Sequence, residues 1–543
     1  MNVLWIMADQ LRWDFLSCYG HPHLHTPNID RLAERGLRFT NAYIQSPICG
    51  PSRMSAYTGR YVRSHGSTYN QVPLRVGELT LGDHLRAIGV DPVLVGKTHM
   101  RADLEGMERL GIDPQSEIGV SVAQCGFVPF ERDDGLHPYR PQRRETNYQQ
   151  YLRDQGYASE NPWEDFANSA LGDEGELLSG WLLKYANRPA NIAEEHSETP
   201  YMVRRAQEFM ETADPNRPWL CHLSLIKPHW PYIVPAPYHD MYGPEHVLPA
   251  VRSEDERGQG AHPVLKSFMD ARMSQAFARD DLRERVIPAY MGLIKQIDDS
   301  LGRLFDWMEE TGRMDDTMIV MSSDHGDYLG DHWLGDKEHF HDCSTKIPLI
   351  VCDPRAGADA TRGQAEDRLV ELIDLAPTFL DFFGGEARPQ NLEGRCLTPL
   401  LSGAGPDAPW RRFAVSELDY GFREVVHDLG VDADEARMTM IRDERWKYIH
   451  VLGFPPQLFD LAEDPDELKD RGREDSAEIR AVLDRFAVAH QAWASSYTRP
   501  TYSRAELDKR NLDDSEAVLI GFWDEADFEA RFGKPFVKTD GRY

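Results

Sequence analysis

Four short apolar runs in this chain each end in residues that carry chemistry. Residues 3–7 run into Asp9 and Gln10, residues 92–95 into Lys97 and His99, residues 219–226 into His229, and residues 318–323 into Asp324 and His325. An unbroken apolar run of this length reads as a strand buried on both faces, the habit of parallel sheets. Helical stretches separate the runs. Thr26-Pro27 opens one that Gly36 stops, with Thr as N-cap and Pro at the first helical position. Another covers 80–88, a third 200–210, and a helix near 290–308 carries Ile294, Ile297, Leu301, Leu304 and Met308 on one face. Further strands are expected at 38–44 and 348–352, and a helix at 369–383 ended by Gly384-Gly385. The alternation predicts an α/β fold with a mostly parallel central sheet flanked by helices. Such sheets bind ligands beyond the carboxyl ends of their strands. A single Asp or His after a strand is ordinarily a loop residue; four such strand ends define a candidate site.

The pattern dissolves between about 101 and 198 and again between about 236 and 280, where Gly, Pro, Asp and Glu mix with scattered aromatics. These stretches read as insertions that wall or cover a pocket. Beyond about 406 the character changes. Residues 413–418, 438–441 and 446–451 predict antiparallel strands, and a helix from 476 to 493 follows, with Asp475 and Glu478 spaced as a capping pair. The expected organisation is a catalytic α/β unit over 1–405, a smaller antiparallel sheet-plus-helix subdomain over 406–495, and a tail over 496–543. Phe522, Trp523, Phe528 and Phe532 make that tail too aromatic for open solvent. It is expected to pack on a neighbouring subunit or to cap the pocket, in a dimer or tetramer.

With 90 acidic against 60 basic side chains the formal charge is −30. No basic surplus is available to neutralise phosphates, which excludes a nucleic-acid partner. An anionic small molecule would need a locally positive pocket inside an acidic shell. The seven cysteines (Cys18, Cys49, Cys125, Cys221, Cys343, Cys352 and Cys396) are odd in number and lack a C-x-x-C, as in a reducing compartment. Residues 1–9 show no signal peptide, and no apolar run approaches the roughly 20 residues needed to cross a bilayer. A cytoplasmic enzyme without a membrane partner is the expectation.

Between the predicted strand at 38–44 and a helix beginning near Met54 lies Ser46 to Arg60, with Cys49, Pro51 and Arg53 in the pattern C-x-P-x-R. Cys49 thus falls near a helix N-terminus, where free N–H groups and the dipole favour negative charge. A thiol there is either a low-pKa nucleophile or the precursor of another group.

Together with the four strand ends, this motif resembles the signature of the sulfatases of the alkaline phosphatase superfamily, across essentially the whole chain. The resemblance implies that a formylglycine-generating enzyme oxidises Cys49 to formylglycine (3-oxoalanine), whose hydrate is the nucleophile. It implies that Asp9, Gln10, Asp324, His325 and the modified Cys49 hold one divalent cation. The mostly oxygen donor set suits Ca²⁺ or Mn²⁺, with Mg²⁺ admitted. Arg53 and Lys97 are then expected to hold and polarise the diol. Lys337 and His229 would grip the non-bridging oxygens, His229 would protonate the leaving oxygen, and His99 would take the proton that returns the aldehyde. Asn70 is a candidate substrate contact, with a turn amide as the plainer alternative. Gln10 and His325 depart from the Asp and Asn that many sulfatases resemble at these places and are similar to the phosphonate monoester hydrolase branch, whereas Lys97-x-His99 is similar to sulfatases.

The expected activity is hydrolysis of sulfate monoesters of arylsulfatase type. A phosphonate monoester hydrolase or phosphodiesterase using the same residues is the alternative. A thiolate enzyme with unmodified Cys49, and a non-catalytic binder on the same scaffold, are further readings. His332, His339 and His341 read as loop or pocket-lining residues. The run His21, His23, His25 lacks a Cys or carboxylate at ligand spacing and is not expected to bind a metal.

Overall fold

A computed structural model describes residues 1–135, 145–387, 391–406, 409–496 and 524–533. Its centre is a nine-stranded sheet. In spatial order the strands are Gln364–Glu366, Leu37–Tyr43, Lys346–Cys352, Thr317–Ser323, Asn2–Ala8, Trp219–Leu225, Asp91–Gly96 and Val128–Arg132, while Val370–Glu371 also pairs with Leu37–Tyr43. Lys346–Cys352 runs antiparallel to both neighbours and every other pairing is parallel.

The strand Asn2–Ala8 lies mid-sheet, with Trp5 opposite His222 on one side and Val320 on the other. Its side chains alternate between two cores, as the two-residue period requires. Leu4, Ile6 and Ala8 pack with Ile294, Ile297 and Leu301 of the helix Asp280–Glu310. Val3, Trp5 and Met7 pack with Met54 and Ala56 of the helix Cys49–Thr58, Leu81 of Leu81–Ala87, and Phe379 of Leu375–Phe382. Both layers bury the strand, which explains its unbroken apolar sequence. Each large side chain removed from water contributes about 1.5–3 kcal/mol.

The C-terminal region is a four-stranded antiparallel sheet of Ala414–Asp419, Arg437–Arg442, Trp446–Val451 and Gln457–Asp460. One face takes Ile479 and Phe486 of the helix Ala477–Ser495. The other packs Met440 and Ile449 with Tyr43 and with Ile48, the residue before Cys49. Among the described residues no helix is long and apolar enough to cross a membrane, and all seven cysteines are free.

Several expectations need correction. The stretch 101–198 is not wholly outside the sheet, because Val128–Arg132 pairs with Asp91–Gly96 and forms its edge. The segment 369–383 begins as the strand Val370–Glu371 and becomes α-helical only at Leu375. The cap of the last long helix is Ser476, whose hydroxyl accepts from Ile479 N–H, while Asp475 pairs with Arg480 instead. Of the tail, only the helix Glu525–Phe532 is described; Phe522 and Trp523 lie outside the described residues.

Candidate active site

Cys49 is the first residue of its helix and is fully buried. The preceding Ile48 has no side chain able to cap the helix. That role falls to Asn70, whose Oδ1 accepts from Gly50 N–H at 2.8 Å. A Cβ on Gly50 would lie 2.8 Å from that oxygen and 3.1 Å from Asn70 Cα, so a larger residue there would displace Asn70. Asn70 therefore adjoins residue 49 through backbone capping.

The strand ends bring the other groups to the same place. His325 Nε2 lies 3.0 Å from Cys49 Sγ, Lys337 Nζ 3.1 Å and Asp9 Oδ1 3.8 Å. Asp9, Cys49, Asp324 and His325 offer ligand atoms all within 4.8 Å of one another, all buried. His325 Nδ1 is 2.8 Å from Gly326 O and donates to it, which leaves Nε2, the nitrogen that faces Cys49, as the one able to ligate once it gives up its proton. The donor chemistry of this group fits a divalent cation. Gln10 Nε2 donates to Tyr232 and Asp327, which turns its Oε1 toward Lys337 Nζ at 3.2 Å. The amide oxygen thus faces Lys337.

The hydrogen bonds of Arg53 go to groups other than the Cys49 thiol. Its Nε donates to Asp324 Oδ2 at 2.7 Å, one terminal nitrogen to Asp9 Oδ2 at 3.0 Å, and the other to Ser224 Oγ at 2.7 Å and Lys97 O at 3.0 Å. A planar fork suits this bridging of two carboxylates. Arg53 thus ties Asp9 and Asp324 together. Lys97 Nζ lies 2.6 Å from Asp9 Oδ2 in a fully buried ion pair, without a well-aligned hydrogen bond. His99 has a positive φ of 54° and is held by its backbone N–H on Asp134 Oδ1 at 2.9 Å; its Nδ1 is buried without a partner. His229 Nδ1 donates to Trp230 O at 2.7 Å, and its ring lies close enough to Cys49 for the two to influence each other's ionisation.

The electrostatics follow from burial and this charge pattern. Burial pushes the Cys49 thiol up, but Lys337, His325 and Lys97 outweigh it and hold the thiol well below its ordinary value. Burial pulls the His325 imidazolium down, but Asp324 and Cys49 raise it to about 9. Burial and Lys337 lower His229 below the usual histidine range, against the pull of Asp9. Lys337 remains firmly cationic: burial opposes its charge, and Asp336 and Cys49 overcome that opposition.

The loop that presents Lys337 is strained. Leu329, His332, Trp333, Asp336 and Glu338 all have positive φ, five of the nine such non-glycine residues among those described. Left-handed non-glycine conformations persist where surroundings over-determine them. Here the segment 251–256 supplies that hold: Val251 N–H donates to Asp331, His332 N–H to Val251 O, Trp333 Nε1 to Ser253 O, and His332 meets Glu256 at 2.7 Å. The stretch expected to act as a cover is thus a strap on the Lys337 loop.

Two other histidine groups are not brought to this site. Glu256, His332 and His341 lie together, buried. The two rings stack 3.7 Å apart and 12° from parallel, so their in-plane lone pairs run side by side rather than to a common ion. His21 spends its Nδ1 on the backbone N–H groups of His23 and Leu24. Sequence reasoning missed Asp327 and Tyr232, which orient Gln10, and Asp134, which holds His99. Asp327 had a signal, standing three residues after Asp324.

A buried carboxylate–imidazole cluster at the carboxyl ends of a mostly parallel sheet, with a smaller antiparallel sheet behind it, defines an alkaline phosphatase-like protein. The sulfatase family model matches residues 1–385, and the model of the C-terminal region of N-sulphoglucosamine sulphohydrolase matches 330–488. The chain belongs to the sulfatase family. It is 34% identical over 539 residues to the multifunctional alkaline phosphatase superfamily protein PehA of Trinickia caryophylli, covering 94% of this chain and 98% of that one. It is 27% identical to an arylsulfatase of Clostridium perfringens, covering 86% and 89%. Among solved structures it resembles the phosphonate monoester hydrolase of Agrobacterium radiobacter, with a TM-score of 0.77, 28% identity and coverage of 91% and 96%.

Proposed function

We propose that this protein hydrolyses monoanionic esters at a tetrahedral phosphorus or sulfur centre, phosphonate monoesters and phosphodiesters ahead of sulfate monoesters. The observation that carries the reading is the convergence of His325, Lys337 and Asp9 on the buried Cys49. Sequence alone put sulfate first. Gln10 and His325 at the cation site, the full-length likeness to PehA and the fold likeness to a phosphonate monoester hydrolase move phosphonates ahead. Lys97-x-His99 and the likeness to an arylsulfatase support sulfate turnover as the second reading.

Asp9, Gln10, Asp324 and His325 would hold the cation, Ca²⁺ or Mn²⁺ with Mg²⁺ admitted by the oxygen donors. With Cys49 matured to formylglycine by a formylglycine-generating enzyme, the hydrated side chain supplies the attacking hydroxyl, and the cation supplies its acidity. Lys337 grips a non-bridging oxygen with a charge that does not titrate near neutrality. Trp230 O takes the Nδ1–H of His229, so Nε2 is the nitrogen that serves the leaving oxygen. Its lowered pKa makes the imidazolium a strong acid once the anionic ester raises its population. His99, with Nδ1 unpartnered, takes the proton from residue 49. Arg53 fixes both carboxylates, and Lys97 with Arg53 holds Asp9 ionised.

The test compares kcat/KM for nitrophenyl esters of a phosphonate, a phosphodiester and sulfate. The mass of the peptide holding residue 49 is measured in the same preparation, where maturation lowers it by about 18 Da (loss of SH₂, gain of O). The expected result is the converted mass and phosphonate or diester turnover exceeding sulfate turnover. Sulfate faster by orders of magnitude selects the second reading, and full turnover with an unconverted thiol overturns the mechanism.

A further inference from the structure

Two rings from distant parts of the chain lie face to face beside the site. Tyr69 precedes Asn70, and Phe422 lies in the turn after the strand Ala414–Asp419; their centroids are 4.8 Å apart and their planes 18° from parallel. The stack is pinned to the site at two points. Asn70 caps the residue after Cys49. The Tyr69 hydroxyl donates to Glu338 Oε1 at 3.0 Å, and Arg423 holds the other oxygen of Glu338 at 2.8 Å. Glu338 adjoins Lys337, whose ammonium is 3.1 Å from Cys49 Sγ.

Phe422 is 55% exposed although its neighbour is held so firmly. A phenylalanine contributes to stability by leaving water, and this one leaves much of its surface open. Another aromatic pair near the site is differently placed. Trp230 lies 4.2 Å from the His229 ring, donates its indole N–H to Asp336 and meets the edge of Trp181 at 5.3 Å. That pair is engaged in orienting His229, whereas Phe422 keeps more than half of its surface open.

We propose that Tyr69 and Phe422 form a shelf for the departing alcohol and select flat aromatic alcohols over aliphatic ones. The inference rests on the ester-hydrolase reading above and names the leaving group that reading leaves open. The charged centre of the ester goes to Lys337 and the cation site, so selection among leaving groups falls to uncharged surface. An aryl group stacks on the shelf in the offset manner that ring quadrupoles favour, and an alkyl chain gains only area. Phe422 follows a strand of the C-terminal sheet and Tyr69 belongs to the catalytic layer, and Glu338 ties the two together.

The test uses the full chain with Phe422→Ala and Phe422→Leu, the latter keeping bulk but not flatness. Each is assayed on an aryl ester and a fluoroalkyl ester whose alcohols have matched acidity, at the phosphorus or sulfur centre that the wild type turns over best. The expected result is an aryl kcat/KM lowered about 2- to 10-fold in the Ala variant, less in the Leu variant, with the alkyl value nearly unchanged. Equal losses on both esters, or none on either, overturn the proposal. Calorimetric titration with phenylphosphonate and propylphosphonate, which are not esters, reads the same preference without turnover. If no ester is hydrolysed, the hydrolase reading fails, and an unchanged phenyl-to-propyl affinity ratio in Phe422→Ala independently sinks the shelf.

Discussion

Lys337 brings its ammonium to 3.1 Å from Cys49 Sγ across 288 residues of sequence. Both groups are buried, so water screens their attraction weakly. The same cation would meet a non-bridging ester oxygen once residue 49 is matured. Lys337→Met is expected to lower kcat by about 10²–10³-fold, the size seen for loss of one preorganised donor to developing charge. Steady-state kinetics on the preferred ester check this. A rise in KM with kcat unchanged would mean that Lys337 only binds.

Arg53 bridges Asp9 and Asp324 with no surface exposed on any of the three. Arg53→Met leaves two buried carboxylates short of their counter-charge, and breaking such a pair costs about 3–5 kcal/mol. The variant is expected to unfold earlier in urea and to recover part of the loss when a divalent cation is added. Arg53→Lys keeps a charge but not the fork and should fall between. A variant of wild-type stability with only catalysis lost would return Arg53 to the nucleophile.

The sheet was legible because its central strands are buried on both faces and therefore read as continuous apolar runs; Trp219–Leu225 and Thr317–Ser323 are buried at every position. The edge strand Val128–Arg132 was not, since its exposed face carries Val128 and Arg132 and a proline interrupts it. Residue types at the strand ends announced the site. The choice of partners did not, because Arg53 selects between residue 49 and the carboxylates through the rigid placement of strands more than 270 residues apart. Nor did the sequence show that Tyr232 and Asp327 would fix which way the Gln10 amide points.

Asn70 separates two roles that the sequence left open. Asn70→Ala removes the cap on Gly50 N–H and is expected to cost about 1 kcal/mol in urea unfolding. Asn70→Asp keeps the acceptor and places negative charge at a helix N-terminus, where it is tolerated. Stability should then be retained while KM for an anionic ester rises through repulsion. Asp and Ala variants with equal stability losses would show that the oxygen is not the cap.

Cation binding through His325 would compete with a proton on its ring. In the chain with Cys49 unmodified, burial lowers the ring's pKa but Asp324 and Cys49 raise it to about 9, above the ordinary value near 6.5. A group raised in the folded state contributes stability that is complete below about 6.5 and lost as pH rises through about 9. The cation needs the neutral ring, so its advantage grows over that same window. Apparent affinity is expected to rise up to about tenfold per pH unit between 6.5 and 9, with close to one proton released per ion at pH 7.5. Calorimetry in two buffers of different ionisation enthalpy counts the proton directly. His325→Asn should bind the ion more weakly and abolish the release. In the matured protein the thiolate is absent, which removes one cause of the raised pKa and should shrink the release. Affinity independent of pH across this range would mean that the ring does not ligate.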